Sequence, residues 1–172
     1  ALTALLLLWT NRRLGRFAPP SAVHVQVGYA RGGIAEHRVA TEYRTGEGFD
    51  PRDGPAVAGR DVAVLMLAQP LATPPLAAGP WRAGPAALGG YGRVRPEVLF
   101  ADTKCRLRGA ARDREGRTLL AHDCAGGQGT SGAPLLQRDA DGTWQAVGVQ
   151  AAGGADGIGY AVPGSVLMDL TR

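Results

Sequence analysis

Ser131 lies in the run Gly129-Thr130-Ser131-Gly132. Glycines on both sides free the backbone to turn tightly, so the amide N–H groups of Gly129 and Ser131 can face one spot. Such a pair suits an oxyanion hole, where donors meet the negative oxygen of a tetrahedral intermediate. Taken alone, the run fits a plain glycine-rich hairpin turn equally well. A serine is a weak nucleophile until an imidazole takes its proton, and a carboxylate has to hold that imidazole in the useful tautomer. The carboxylate candidate is Asp61, at the head of the apolar run 61–67 (DVAVLML). By itself Asp61 also reads as a strand-start residue capping a turn. Only three histidines exist, His24, His37 and His122. The first two read as surface residues of strands.

The elements that position these residues are short. The 172 residues are 45% hydrophobic and 20% charged, enough for one domain or two small ones with a sizeable core. The 26 glycines and 12 prolines favour turns over long helices. Alternating or apolar runs at 22–28, 36–43, 61–67, 86–92, 97–104, 117–123, 133–137 and 143–151 predict strands. A short helix is expected at 164–171, started by Ser165. Many short strands between Gly/Pro turns predict an all-β sandwich or barrel. The Pro-rich stretch 68–85 reads as a linker, dividing the chain into units at 1–78 and 79–172.

Several function classes are excluded. The net charge of +4 comes from scattered arginines and a single lysine, Lys104, with no interleaved aromatic platform. Nucleic acid is therefore not an expected partner. No stretch approaches the ~18 apolar residues of a membrane span. Residues 1–9 are apolar enough for a signal-peptide core, but lack the basic region before it and the small-residue cleavage site after it. Cys105 and Cys124 form no CxxC pair, so neither zinc nor another metal is expected, nor any cofactor. They read either as one disulfide, worth roughly 3 kcal/mol, or as two buried thiols.

The stretch 122–136 (HDCAGGQGTSGAPLL) resembles the nucleophile motif of trypsin-like serine peptidases, Gly-Asp-Ser-Gly-Gly-Pro. Its His122-Asp123-Cys124 lead-in looks like secreted bacterial members, including relatives of the glutamyl endopeptidases. Downstream, 146–154 (AVGVQAAGG) is similar to the strand lining the specificity pocket, and 159–163 (GYAVP) to the closing strand before the C-terminal helix. Upstream, 59–67 (GRDVAVLML) resembles the motif that supplies the triad aspartate, and 87–92 (ALGGYG) the strand opening the second barrel. Five weak motifs in the right order carry more weight than any one. The resemblance implies two packed six-stranded Greek-key β-barrels of chymotrypsin type. It makes Ser131 the nucleophile, Asp61 the orienting carboxylate, and Gly129 with Ser131 the oxyanion hole. His122 falls on a structural position.

The general base is missing from this pattern. The family supplies it from Leu-Thr-Ala-Ala-His-Cys, and here Leu2-Thr3-Ala4 and Leu8-Trp9 match around Leu5-Leu6-Leu7. Leu6 stands at the histidine position. The family also places a β-hairpin or more before this motif, so the first barrel is expected to be incomplete and the chain a fragment. Thr130 replaces the aspartate that receives a new N-terminus in zymogen-activated members, which argues against that route.

The pocket base falls on Ala125, which disfavours Lys or Arg at the cleavage site. Gln128, Gln150, Ala151, Ala152 and Gly153 complete the expected substrate-binding set, with a slight preference for a small or medium apolar side chain. The resulting expectation is a secreted or periplasmic monomer that hydrolyses polypeptides through an acyl-enzyme at Ser131, impaired by Leu6. A peptide-binding pseudopeptidase is the alternative. A third reading, a non-catalytic barrel with accidental motifs, predicts no cleft joining Asp61 and Ser131.

Overall fold

The computed structural model describes residues 17–154 and 156–170. Among the described residues the architecture is two sheets, one α-helix and two 3₁₀ segments. The first sheet has the order β1-β2-β3, with β1 at His24–Val27, β2 at Glu36–Thr45 and β3 at Ala63–Leu67, all antiparallel. The second contains β4 (Ala77–Ala78), β5 (Gly84–Gly92), β6 (Arg95–Arg112), β7 (Thr118–His122), β8 (Pro134–Arg138), β9 (Trp144–Gly153) and β10 (Gly159–Pro163). Its order is β10-β7-β6-β5-β8-β9, and β10 also pairs with β9. That last pairing closes a six-stranded barrel and leaves it no free edge. A short helix, α1 (Gly164–Leu170), follows β10 directly.

Strand β3 shows why its sequence is apolar without a break. Ala63 and Leu65 point into a small cluster with Ala40, Phe17 and Tyr43. Val62 and Val64 point the other way, against Val149, Ala151, Val162 and Leu167 of the barrel and helix. With a side-chain period of two, both faces are covered. The barrel interior is filled by Leu88, Leu107, Leu120, Leu135 and Val147, each at most 1% exposed. Burying each Leu is worth about 1.5–3 kcal/mol.

The all-β expectation holds, with one closed barrel, a second smaller sheet and a C-terminal helix. Three details differ. The strand expected at 97–104 runs from Arg95 to Arg112. The added part, 105–112, alternates buried Cys105 and Leu107 with exposed Arg106 and Arg108, while the expected part lies almost wholly in solvent. A kinked 3₁₀ segment, Pro51–Arg60, precedes Asp61 where no element was expected. The helix begins at Gly164 rather than Ser165.

The linker is pinned rather than loose. Ala77 and Ala78 pair in parallel with Gln145 and Ala146 of β9. The buried Gln137 accepts from Arg82 N at 3.0 Å and donates to Arg82 O and Pro85 O at 2.9 and 3.0 Å. On the other side Glu36 accepts from Thr73 Oγ1, Thr73 N and Ala72 N. Those bonds, the Thr73 hydroxyl first, hold its carboxyl down at about 2.

Candidate active site

Two consecutive turns build the loop around Ser131. Thr130 N donates to Gly127 O at 3.1 Å, and Ala133 N donates to Thr130 O at 2.9 Å. The third residue of each turn is a glycine at positive φ, Gly129 at 99° and Gly132 at 93°. A type II turn needs glycine there because an L side chain resists that conformation. The spacing Gly-x-Ser-Gly is thus what two such turns require. Gly129 has a second reason: a Cβ there would lie 2.6 Å from Arg93 N. Thr130 is buried, and its hydroxyl donates to Gly127 O at 2.8 Å. Its role in this structure is to tighten the first turn.

The loop is held from three sides. Gly132 N donates to Gln150 O at 2.8 Å, and Gln150 N to Ala133 O at 2.9 Å, which fixes the loop to β9. Arg93, at the tip of the β5–β6 hairpin, donates from its backbone N to Gln128 O at 2.7 Å and from Nη1 to Gln128 Oε1 at 3.0 Å. Asp102 of β6 accepts from Ala125 N at 2.8 Å and from Lys104 N at 2.9 Å. These N–H donors, Ala125 first, hold its carboxyl below the usual carboxylate range. The disulfide Cys105–Cys124 ties β6 to the residue before Ala125.

With the loop so anchored, Ser131 is half-buried, and its Oγ and amide N have no hydrogen-bond partner among the described residues. Neither has the amide N of Gly129. One hydroxyl and two amide donors are therefore uncommitted within a single three-residue stretch.

Asp61 closes the 3₁₀ segment, donating its N–H to Ala58 O at 3.0 Å. It is 7% exposed, and Oδ1 is buried with no partner among the described residues. Burial pushes its carboxyl up to about 7, since a charge there has lost water without gaining a donor among the described residues. Its neighbours Ala58 and Val62 pack in the same cluster as Val149 and Ala151 of β9. Ser131 approaches β9 through Gly132 and Gln150. Strand β9 thus receives the Asp61 segment through its side chains and the Ser131 turn through its backbone. Leu6 lies outside the described residues.

The expected substrate-binding residues divide into two groups. Ala125 and Gln128 line a cavity of about 400 Å³ with Arg93, Val98, Phe100 and Thr130. Gln150 turns inward: its Oε1 accepts from His122 Nε2 at 2.5 Å and its Nε2 donates to Ala152 O at 2.8 Å. Cys124 N donates to His122 Nδ1 at 3.2 Å, which assigns the ring proton to Nε2. Burial pushes the His122 imidazole below its ordinary value of 6.5. Ala151 is buried, Ala152 half-buried and Gly153 exposed. Sequence reasoning missed Asp102 and Arg93, whose roles depend on partners more than twenty residues away. Among the described residues no group of three or more His, Cys, Asp or Glu is placed to hold a metal ion.

No family model matches the chain, and no curated protein matches it in sequence. Solved structures do resemble it. The active form of the Rv3671c protease from M. tuberculosis superposes with a TM-score of 0.54 at 25% identity, covering 83% of this chain. The VesB protease of Vibrio cholerae reaches 0.66 at 17% identity over 88% of this chain. A thermostable serine protease, AL20, from an extremophilic microorganism reaches 0.60 at 17% identity over 85%. The fold is chymotrypsin-like. The chain spans 60% of the first of these structures, 50% of the second and 71% of the third. In the chymotrypsin-like fold found here, the closed barrel carries the Ser131 loop and the three-stranded sheet carries Asp61 at the entry to β3.

Proposed function

We propose that this chain is a trypsin-like serine endopeptidase family protein whose chemistry centres on Ser131 and is impaired because Leu6 stands where the general base belongs. The observation that carries the reading is the Ser131 turn: a hydroxyl beside two amide donors, all without partners among the described residues, on a loop anchored to β9, β6 and the β5–β6 hairpin. In the reaction of this class, Ser131 Oγ bonds to the substrate carbonyl carbon while its proton passes to a base. The carbonyl oxygen becomes an oxyanion facing the N–H groups of Gly129 and Ser131. Collapse breaks the C–N bond, the amine leaves with the proton, and water then hydrolyses the ester. Leucine accepts no proton, so the first transfer has no partner. Losing one member of a triad leaves roughly 10³–10⁴-fold catalysis over water. Working enzymes reach about 10⁶-fold and far beyond.

The finer assignments belong to the same proposal. The units divide at 1–78 and 79–172, and the protein is a secreted or periplasmic monomer akin to the glutamyl endopeptidases. Ala125 in the pocket wall selects a small or medium apolar side chain over Lys or Arg. The alternative reading, a peptide-binding pseudopeptidase, draws on the unpartnered Asp61 and on the cavity beside Ala125 and Gln128, which binding alone could use.

Digestion of a diverse peptide library tests the proposal. The parent is expected to cleave barely, Leu6→His to cleave measurably, and the Leu6→His, Ser131→Ala double variant to lose that gain. Cleavage that survives Ser131→Ala would overturn the assignment of the nucleophile. A folded Leu6→His variant with no cleavage that still binds peptides would favour the pseudopeptidase.

A further inference from the structure

Arg93 sits at a hairpin tip yet is pinned at two points. Its backbone N donates to Gln128 O at 2.7 Å and its Nη1 to Gln128 Oε1 at 3.0 Å. A guanidinium can only donate, so Gln128 gives it the amide oxygen and keeps its NH₂ as a donor. That NH₂ has no partner among the described residues. Both side chains line the cavity of about 400 Å³ beside the Ser131 loop, and Arg95 lines it with them. Among the described residues neither Arg93 nor Arg95 is in an ion pair. The nearby carboxylates do not answer them. Asp102 is committed to Ala125 N and Lys104 N, and Glu97 forms no ion pair among the described residues either.

The remaining wall is apolar and open. Val98 and Phe100 are 45% and 49% exposed. A residue directly across an antiparallel pair normally covers its partner's side chain. Here Phe100 stands opposite Gly90, and Ala101 opposite Gly89. Gly90 has no room to be larger, since a Cβ there would lie 2.8 Å from Ala133 Cβ. Packing Ala133 against β5 therefore leaves the Phe100 ring bare.

We infer that this cavity is a subsite for an acidic side chain of a bound polypeptide, with Arg93 and Gln128 meeting the carboxylate and Val98 and Phe100 taking an apolar neighbour. That the occupant is a polypeptide rests on the peptidase-family reading of Ser131; its charge rests on the two arginines. A carboxylate accepts a pair of N–H donors from a guanidinium fork, and such charge-assisted bonds are about twice as strong as neutral ones. A Lys or Arg side chain would meet two like charges. The acidic residue is not the one facing Ala125, which is taken as small or medium and apolar; it occupies another position of the same peptide.

The test uses short Ala/Leu peptides in which one Glu is moved along the chain, with matched Gln and Lys sets. They are titrated into the parent chain and followed by NMR at the Gln128 side-chain amide. At one position Glu should bind at least about fivefold tighter than Gln, as for an exposed but well-held charge pair, and the margin should shrink as salt is raised. The Arg93→Gln, Arg95→Gln variant should erase the margin. The Arg93→Glu, Arg95→Gln variant should turn the preference toward the Lys peptide, a reversal that misfolding cannot produce. Equal binding of the Glu and Gln peptides by the parent, no binding of any peptide, or a margin that survives loss of both arginines would overturn the subsite. Phosphonate labelling of Ser131 is read separately. Labelling in Leu6→His without a Glu margin sinks the subsite alone, and a Glu margin without labelling sinks the nucleophile alone.

Discussion

His122 donates its Nε2 proton to Gln150 Oε1 at 2.5 Å, joining β7 to the part of β9 whose backbone holds the Ser131 turn. Both residues are buried, and the imidazole packs over Gly159, where a Cβ would lie 2.2 Å from Cε1. Gln150 is thereby turned away from solvent and fixed in one rotamer by its second bond, to Ala152 O. The pair braces the candidate site from behind.

Replacing His122 with Ala removes that brace and leaves Gln150 Oε1 and Cys124 N unpaired. The expected cost is about 2–4 kcal/mol, combining a cavity with buried unsatisfied polar groups. Urea unfolding at pH 8 measures it. The contribution of His122 should also shrink on acidification. The unfolded imidazole takes a proton near 6.5, and the native one resists it because burial lowers its value. Stability from His122 is therefore complete above about 6.5 and declines as pH falls toward the depressed folded value. The alanine variant should lack this component.

Asp61 works in the opposite direction. Its carboxyl is pushed from 3.8 to about 7 by burial, so between those values the native state holds a proton that the unfolded chain has released. Its contribution falls as pH rises from about 4 to about 7, and the full penalty applies above that. Asp61→Asn should be more stable than the parent at pH 8, by about 2–4 kcal/mol, and equal to it near pH 4. Urea unfolding at pH 4, 6 and 8 checks this. A variant less stable at all three values would show that the carboxylate has a partner.

Reducing or replacing the Cys105–Cys124 bridge should lower stability by about 3 kcal/mol, the amount expected for a closed loop of this size. The paired Cys105→Ser, Cys124→Ser variant measures it by chemical unfolding. Because Cys124 borders Ala125, the change should also loosen the anchor at Asp102, read as faster amide exchange at Ala125.

Gly129→Ala places a side chain at a φ of 99° and 2.6 Å from Arg93 N. The turn cannot hold its shape, and at least about 1 kcal/mol of stability is lost with it. In a Leu6→His background the variant should abolish any gained reactivity of Ser131, while Gly127→Ala, with nothing within 4 Å of its added Cβ, should retain it. Reaction of each variant with an activated ester reads the difference.

Much of this was legible before the structure. The glycines around Ser131 marked a tight turn, and the structure resolves it into two in succession, each with glycine at its third position. The continuous apolar run 61–67 marked a strand, and the structure adds that Val62–Leu65 are covered on both faces. Other features left no local trace. The extension of β6 through 105–112 rests on just two buried residues, Cys105 and Leu107, too short an alternation to mark the strand's length. Asp102 and Gln137 look like ordinary polar residues until the fold brings them Ala125 and Arg82. His24 and His37 read as unrelated surface residues, and only the β1–β2 register brings their rings together.

The central claim is that Ser131 is an acyl-enzyme nucleophile deprived of its base. Labelling with a serine-reactive phosphonate, read by mass spectrometry of the Ser131 peptide, tests it most directly. The account predicts little labelling of the parent and strong labelling at Ser131 in a folded Leu6→His variant. Strong labelling of the unmodified chain would contradict the impaired site, and no labelling of either would contradict the nucleophile itself.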